Sequence, residues 1–255
     1  MQTPYLGDDS FSFEESVIGA LRQAASDQRM LYEELRDEFE RQEDAGLQMM
    51  LRLASVAEFR NDESAAHIVR IGCLAEELAR LAGWSSSWCT AIRMAAPLHD
   101  IGKLAIADAT LLKPGPLTEA ERVAVNRHCE VGAHLLSGST SPVLKLAAEI
   151  ARTHHEHFDG SGYPQGLQGR EIPLSGRIVA LVDFFDVLAM DRCYRPRYGD
   201  DQIFDMIVSR SGRQFDPTLV DLLIANAPHF RATRDHIGNK PVGVDILRRY
   251  QSLPR

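Results

Sequence analysis

The residues of this chain most able to do chemistry are histidines and carboxylates that fall where a plain helical protein has little use for them. Nine histidines are present. Glu63 and His67 stand four apart near a helix start and so share a face. His99-Asp100 closes the apolar run Ala95-Ala96-Pro97-Leu98 and precedes Ile101-Gly102-Lys103. His128 is expected in mid-helix, and His154-His155 at the end of another helix. Asp183 interrupts the apolar stretch from Ile178 to Phe185. A buried, unpaired carboxylate costs several kcal/mol unless a cation or hydrogen bonds compensate. A metal is one such cation.

Imidazoles with carboxylates, and no cysteine pair, suit Fe, Mn, Zn or Co and not a thiolate site. Neighbouring histidines leave a helix about 100° apart, so His154 and His155 serve a cluster at a helix end better than one ion in mid-helix. An aspartate beside a histidine can bridge two ions, and two ions ~3.5–4 Å apart can hold a hydroxide and clamp a phosphoryl group. A single helical histidine is more often a core or surface residue than a ligand. His134, His157, His229 and His236 are set aside on that ground. The others lie on different expected helices, several in apolar surroundings.

The elements that must position these residues read as helices. Phe13 to Glu43 has no proline and carries Val17, Leu21, Ala24, Leu31, Leu35 and Phe39 at helical spacing. That stripe must be buried on its own domain or on a second chain. Asn61-Asp62 caps a helix through Leu81, with Gly83 as its stop. Another helix runs from Ser86 or Ser87 to about His99. Thr118-Glu119-Ala120-Glu121 has the form of a capping box, opening a helix to about Leu136. Pro142 suits a first turn, in a helix reaching about His155. Residues 158–174, with Gly160, Gly162, Gly166, Gly169, Pro164 and Pro173, form a long loop. Ser175 to about Met190 is apolar on nearly all sides and so buried. Shorter helices fill 200–228, one starting at Asp216-Pro217. Strand patterns and repeats are absent from the sequence. The expectation is an all-α bundle at 49–230, with a helical extension at 1–48 and a C-terminal tail at 231–255.

Composition narrows the function. A formal charge of −8, from 36 acidic and 28 basic residues, disfavours a nucleic-acid polymer as partner. No stretch reaches the ~18 apolar residues of a membrane span, and the acidic N-terminus lacks a signal pattern. Cys73, Cys89, Cys129 and Cys193 form no CxxC, as expected of thiols in a reducing compartment. The expected location is the cytoplasm, with no membrane partner.

At this point a resemblance becomes specific. The run His99 to Lys103, then Leu112-Lys113-Pro114-Gly115, Arg127-His128 to Gly132, and above all His154-His155-Glu156-His157-Phe158-Asp159-Gly160-Ser161-Gly162-Tyr163-Pro164 resemble the HD-GYP family. Gly166-Leu167 to Ile172-Pro173 and Phe215-Asp216-Pro217 fit as well, so the likeness spans about 50–230. It implies an HD-domain helical bundle that hydrolyses cyclic di-GMP to linear pGpG, to GMP, or to both, through a hydroxide between metals. It also implies two or three divalent transition metals, iron or manganese being usual. Carried across, the ligands are Glu63, His67, His99, Asp100, His128, His154, His155 and Asp183. Asp100 would bridge two ions, and Glu63 matches the extra carboxylate of three-metal members. Lys103 matches a lysine facing the substrate phosphate; Tyr163, Arg192 and Arg195 match nucleotide contacts. Ala107 stands where proline is usual, and Arg195 where lysine can occur. Neither removes a ligand. Expected partners are cyclic di-GMP, a second copy through the N-terminal helix, and diguanylate cyclases or adaptor proteins. The competing readings are a cyclic di-GMP receptor or interaction module with little turnover, and an HD hydrolase of another cyclic dinucleotide.

Overall fold

The structure is a computed structural model, and it describes residues 9–60, 65–190 and 196–238. Glu63, Arg192, Cys193 and Arg195 lie outside the described residues. The chain divides into two compact units, Met1–Gln48 and Met49–Arg255. Its elements in order are α1 (Asp9–Phe59), α2 (Ala65–Leu81), α3 (Ser86–Ala95), α4 (Asp108–Leu111), α5 (Glu119–Asn126), α6 (His128–Leu136), α7 (Pro142–Thr153), α8 (Leu174–Leu188), α9 (Asp200–Val208), α10 (Pro217–Ala225) and α11 (Ala227–Ile237). Single 3-10 turns occur at Ala96–Leu98, Ile101–Ala105 and Gly169–Glu171. There is no β-strand among the described residues, so the chain is all-α.

The described residues of the first unit, 9–48, are helix. Its described side chains from Leu21 to Glu38 are exposed, Leu21, Leu31 and Leu35 among them. In the second unit the last turns of α1 change character: Leu51, Ala54, Ala57 and Glu58 are buried. α1 is longer than the helix expected over 13–43, because no proline interrupts 9–59 and a lone Gly46 costs a helix only about 1 kcal/mol.

The bundle of the second unit packs α2 against α3, α8 and α11, and α7 against α3, α6 and α8. α8 is buried on most sides, with Ile178, Val179, Leu181, Val182 and Phe185 fully enclosed. α2 supplies Ile68, Ile71, Leu74 and Leu78 to the same core. Each such side chain stabilises the fold by about 1.5–3 kcal/mol relative to leaving it in water.

The caps and starts expected at Thr118, Pro142 and Asp216 are in place, while Asn61 and Asp62 lie outside the described residues. Thr118 Oγ1 accepts from Glu121 N at 3.3 Å, and Glu121 Oε2 accepts from Thr118 N at 2.7 Å. Pro142 opens α7, and Asp216 caps α10 through Thr218 N at 2.9 Å. Helix ends depart from expectation in three places, each for a physical reason. α3 stops at Ala95 because Pro97 has no N–H to extend it, and a 3-10 turn delivers His99 instead. The helix expected over 118–136 is broken at Arg127, so His128 opens α6 and does not sit in mid-helix. There His128 Nδ1 takes the Val125 carbonyl at 2.7 Å, competing with the backbone ladder. Residues 231–237, expected as tail, belong to α11. Phe230 and Arg234 are buried, and Arg234 bonds the Asp200 carboxylate at 2.7 Å.

One glycine fixes the bundle around the site. A Cβ on Gly102 would stand 2.0 Å from His128 O and 2.6 Å from Gly132 N. Only glycine lets the turn Ile101–Ala105 lie on α6, which brings the 99–103 segment up to His128.

Candidate metal centre

The residues singled out above converge from α2, the 3-10 turns, α6, the end of α7 and α8. His67, His99, Asp100, His128 and His154 are buried, with His155 and Asp183 partly so. Two lobes form around Asp100. In one, ligand atoms of His67, His99 and Asp183 lie within 4.8 Å of one another; in the other, those of His128, His154 and His155 do, with Cys129 beside them. His99, Asp100 and His154 meet the same limit and join the lobes. Asp100 Oδ2 is 3.2 Å from His99 Nε2, while Oδ1 is 3.2 Å from His128 Nε2 and 3.6 Å from His154 Nε2. Asp183 Oδ1 is 3.4 Å from His67 Nε2 and 3.8 Å from His99 Nε2.

The outer nitrogens settle the tautomers. His99 Nδ1 donates to Ala96 O at 3.0 Å, His128 Nδ1 to Val125 O at 2.7 Å, and His154 Nδ1 to Ile150 O and Ala151 O at 3.1 Å each. A carbonyl only accepts, so each Nδ1 carries a proton and Nε2 is the ring atom turned inward. His67 is held differently. Its Nδ1 donates to Asp186 Oδ2 at 2.8 Å, and Arg70 holds Asp186 with two bonds of 2.6 and 2.9 Å. Arg70 also donates to Gly238 O at 3.0 Å.

These Nε2 atoms face carboxylate oxygens at close range, an arrangement a cation relieves. The buried His99 Nε2 and Asp100 Oδ1 form no hydrogen bond. Burial alone would lower the pKa of His99, yet Asp100 and Asp183 prevail and raise it to about 9. Burial would raise the Asp100 carboxyl, but Lys103, His99 and the imidazoles of His128 and His154 hold it well below the usual carboxylate range. His154 and His155 are both pushed down, first by burial, and so stay neutral donors. The residues fit divalent metal ions with mixed nitrogen and oxygen ligands. Cys129 suits such a role poorly, since burial drives its thiol pKa far up.

Lys103 Nζ lies 2.5 Å from Asp100 Oδ2 at the edge of the cluster. Tyr163 stacks on His155, with ring centroids 4.9 Å apart and planes 26° from parallel. Its loop is pinned from below: the buried Glu156 carboxylate accepts from Gln165 N at 2.7 Å and Leu167 N at 3.0 Å. A Cβ on Gly162 would stand 2.2 Å from His157 N, so this bend requires glycine. The histidines set aside take ordinary roles: His157 bonds Ser161, His229 pairs with Glu77, and His134 is exposed.

Asp186, Arg70 and Glu156 were not singled out by sequence. A signal existed for Asp186, which sits in the same apolar helix as Asp183 and is fully buried where Asp183 is 21% exposed.

Residues 47–219 match the HD domain family. The chain belongs to that family. A Vibrio cholerae relative named 3'3'-cGAMP-specific phosphodiesterase 2 is 43% identical over 187 residues, 73% of this chain and 36% of that protein. A Thermotoga maritima relative named cyclic di-GMP phosphodiesterase is 44% identical over 186 residues, 73% of this chain and 50% of that protein. The chain thus spans half or less of the length of these curated relatives. A solved V. cholerae phosphodiesterase described as specific for cyclic GMP-AMP aligns over 82% of this chain and 54% of that one, with a TM-score of 0.56 at 20% identity. That likeness concerns the fold: an all-α HD bundle. The resemblance drawn from the motifs stands, and HD domains of this kind bind divalent metals. Among the described residues, no helix is long and apolar enough to cross a membrane.

Proposed function

We propose that this HD domain is a metal-dependent phosphodiesterase that hydrolyses cyclic di-GMP to linear pGpG, GMP or both. The observation that carries this reading is the single carboxylate of Asp100 set between two imidazole lobes. His67, His99 and Asp183 would hold one ion, His128, His154 and His155 the other, with Asp100 shared. Iron or manganese suits that ligand set, and Glu63 would serve a third ion. When bound, such ions supply Lewis acidity and acidify water beside a phosphoryl group.

The chain's own side chains do the rest. The carbonyl-bonded Nδ1 atoms keep the imidazoles aimed inward with no reorganisation. Lys103 offers a compact ammonium to a phosphoryl oxygen arriving next to Asp100. Tyr163, half-buried and stacked on His155, would serve as a nucleotide contact. Arg192 and Arg195 complete the substrate contacts in this proposal. The proposed setting is the cytoplasm.

A second substrate has a specific observation behind it: relatives of comparable identity are named for 3'3'-cGAMP. Product chromatography with Mn(II) or Fe(II), on cyclic di-GMP and 3'3'-cGAMP, separates the readings. Faster cleavage of cyclic di-GMP is expected. Binding without cleavage of either would replace the enzyme with a receptor.

The proposal includes a homodimer through α1. In the first unit Ile18, Leu21, Tyr32 and Leu35 are exposed. Counted along the helix, these positions share one alternating three-and-four spacing, the seam of a two-stranded coiled coil. Gln28 and Gln42 fall on the seam, where a parallel pair sets each amide against its own copy. Diguanylate cyclases or adaptor proteins are the further partners proposed. A chain starting near residue 46 should be a folded, active monomer by light scattering, and the full chain a dimer. A monomeric full chain would remove the seam from the proposal.

A further inference from the structure

Arg60 is the first residue past α1, and its guanidinium reaches into the turn that carries Lys103. Nη1 donates to Lys103 O at 3.2 Å and Leu104 O at 3.0 Å; Nη2 donates to Ile106 O at 2.7 Å and to Asp108 Oδ1 at 2.6 Å. These partners lie 43 to 48 residues away in sequence. A 3-10 turn is short, has poor hydrogen-bond geometry, and leaves its last carbonyls without ladder donors. Here one planar fork donates to Leu104 O and Ile106 O and gives Lys103 O, which already accepts from Ile106 N at 3.1 Å, a second donor; an ammonium cannot do this in the same geometry. Arg60 N bonds Val56 O at 3.3 Å, and Ala57 and Glu58 beside it are buried, so the fork starts from a fixed base.

We propose that Arg60 is a positioning residue for the reaction: it holds the Ile101–Ala105 turn so that the Lys103 ammonium stays beside Asp100. The inference rests on the phosphodiesterase reading, in which Lys103 meets the substrate phosphate. The Asp108 pair is a minor part of it. That carboxylate is 70% exposed, and exposed ion pairs contribute little. What counts is the set of carbonyls. It follows that the end of α1 and the Lys103 turn move as one piece within the catalytic unit.

The test uses the full chain loaded with Mn(II) and compares Arg60→Ala, Arg60→Lys and Asp108→Asn. Three quantities are read: metal per chain, kcat and KM for cyclic di-GMP, and hydrogen–deuterium exchange of the peptide covering residues 101–107. Arg60→Ala should lower kcat about 10–100-fold, the scale of a small misplacement of a reacting group. Its KM should stay within twofold and its metal content unchanged, while exchange over 101–107 rises at least tenfold. Added guanidinium should recover part of kcat. Asp108→Asn should stay within twofold of wild type throughout. Should Arg60→Ala not fold, Arg60→Lys decides: a folded protein with lowered kcat supports the clamp, and wild-type kcat overturns it. Wild-type kcat and exchange in Arg60→Ala, or a loss of activity that only follows loss of metal, also overturns it. A wild-type protein that cleaves no cyclic dinucleotide would instead overturn the phosphodiesterase reading, and the exchange measurement would still decide the clamp.

Discussion

The two lobes of the metal centre are built from similar side chains but held by different means. His128 and His154 are tied to carbonyls only three or four residues back in sequence. Each is oriented by local structure alone. His67 is tied to Asp186, 119 residues away, and Asp186 in turn to Arg70. In the His128 lobe the rings of His128 and His154 are thus oriented by near sequence neighbours, although α6 and α7 must still pack to bring them together. The other requires α2 and α8 to be packed together and a buried charge pair to be complete. The lesson is that similar ligand sets can differ in what they demand of the fold, and the demanding one should fail first.

The most severe way to test this division is to remove what both lobes share. Asp100→Ala should lose metal from both lobes and all measurable turnover, read by elemental analysis beside product chromatography. Retained turnover would mean that Asp100 is not the bridge.

Asp186→Asn attacks one lobe only. Removing an outer partner of a metal-binding histidine typically weakens metal affinity about 10–100-fold. The variant should lose the metal held by the His67 lobe in chelator titrations while the His128 lobe keeps its own. Equal weakening at both would break the comparison. An acid series adds a second readout. Burial would raise the Asp186 carboxyl, but Arg70 and His67 hold it below its ordinary value of 3.8. A lowered folded pKa means that its stabilisation is complete above the ordinary value and is lost as pH falls through the folded one. The thermal midpoint of metal-free wild type should therefore fall in acid more steeply than that of Asp186→Asn.

The smallest effect is expected at Tyr163. Tyr163→Phe keeps the ring on His155 and removes only the hydroxyl. A hydrogen bond is worth about 1 kcal/mol, so KM should rise severalfold with metal content unchanged. Loss of metal would give Tyr163 a structural role instead.

The same division explains what could be read from the sequence. Caps and starts depend on a few adjacent residues, so Thr118, Glu121, Pro142 and Asp216 were readable directly. His128 reads as mid-helix because the side-chain bond to Val125 O that accompanies the break at Arg127 leaves no mark on apolar spacing. The buried-carboxylate argument picked Asp183, yet Asp186 is the more deeply buried of the two. Nothing in linear spacing pairs Asp186 with Arg70, because that bond exists only after α2 and α8 meet. Arg60 escaped notice for the same reason. The ligand set itself came from the motif resemblance, and its Glu63, Arg192 and Arg195 lie outside the described residues.

The central claim, two imidazole lobes sharing one carboxylate, is tested most directly by the metal content of wild-type protein prepared without oxygen. Elemental analysis should find two or three transition-metal ions per chain, iron or manganese foremost. One ion per chain, or none, would contradict it.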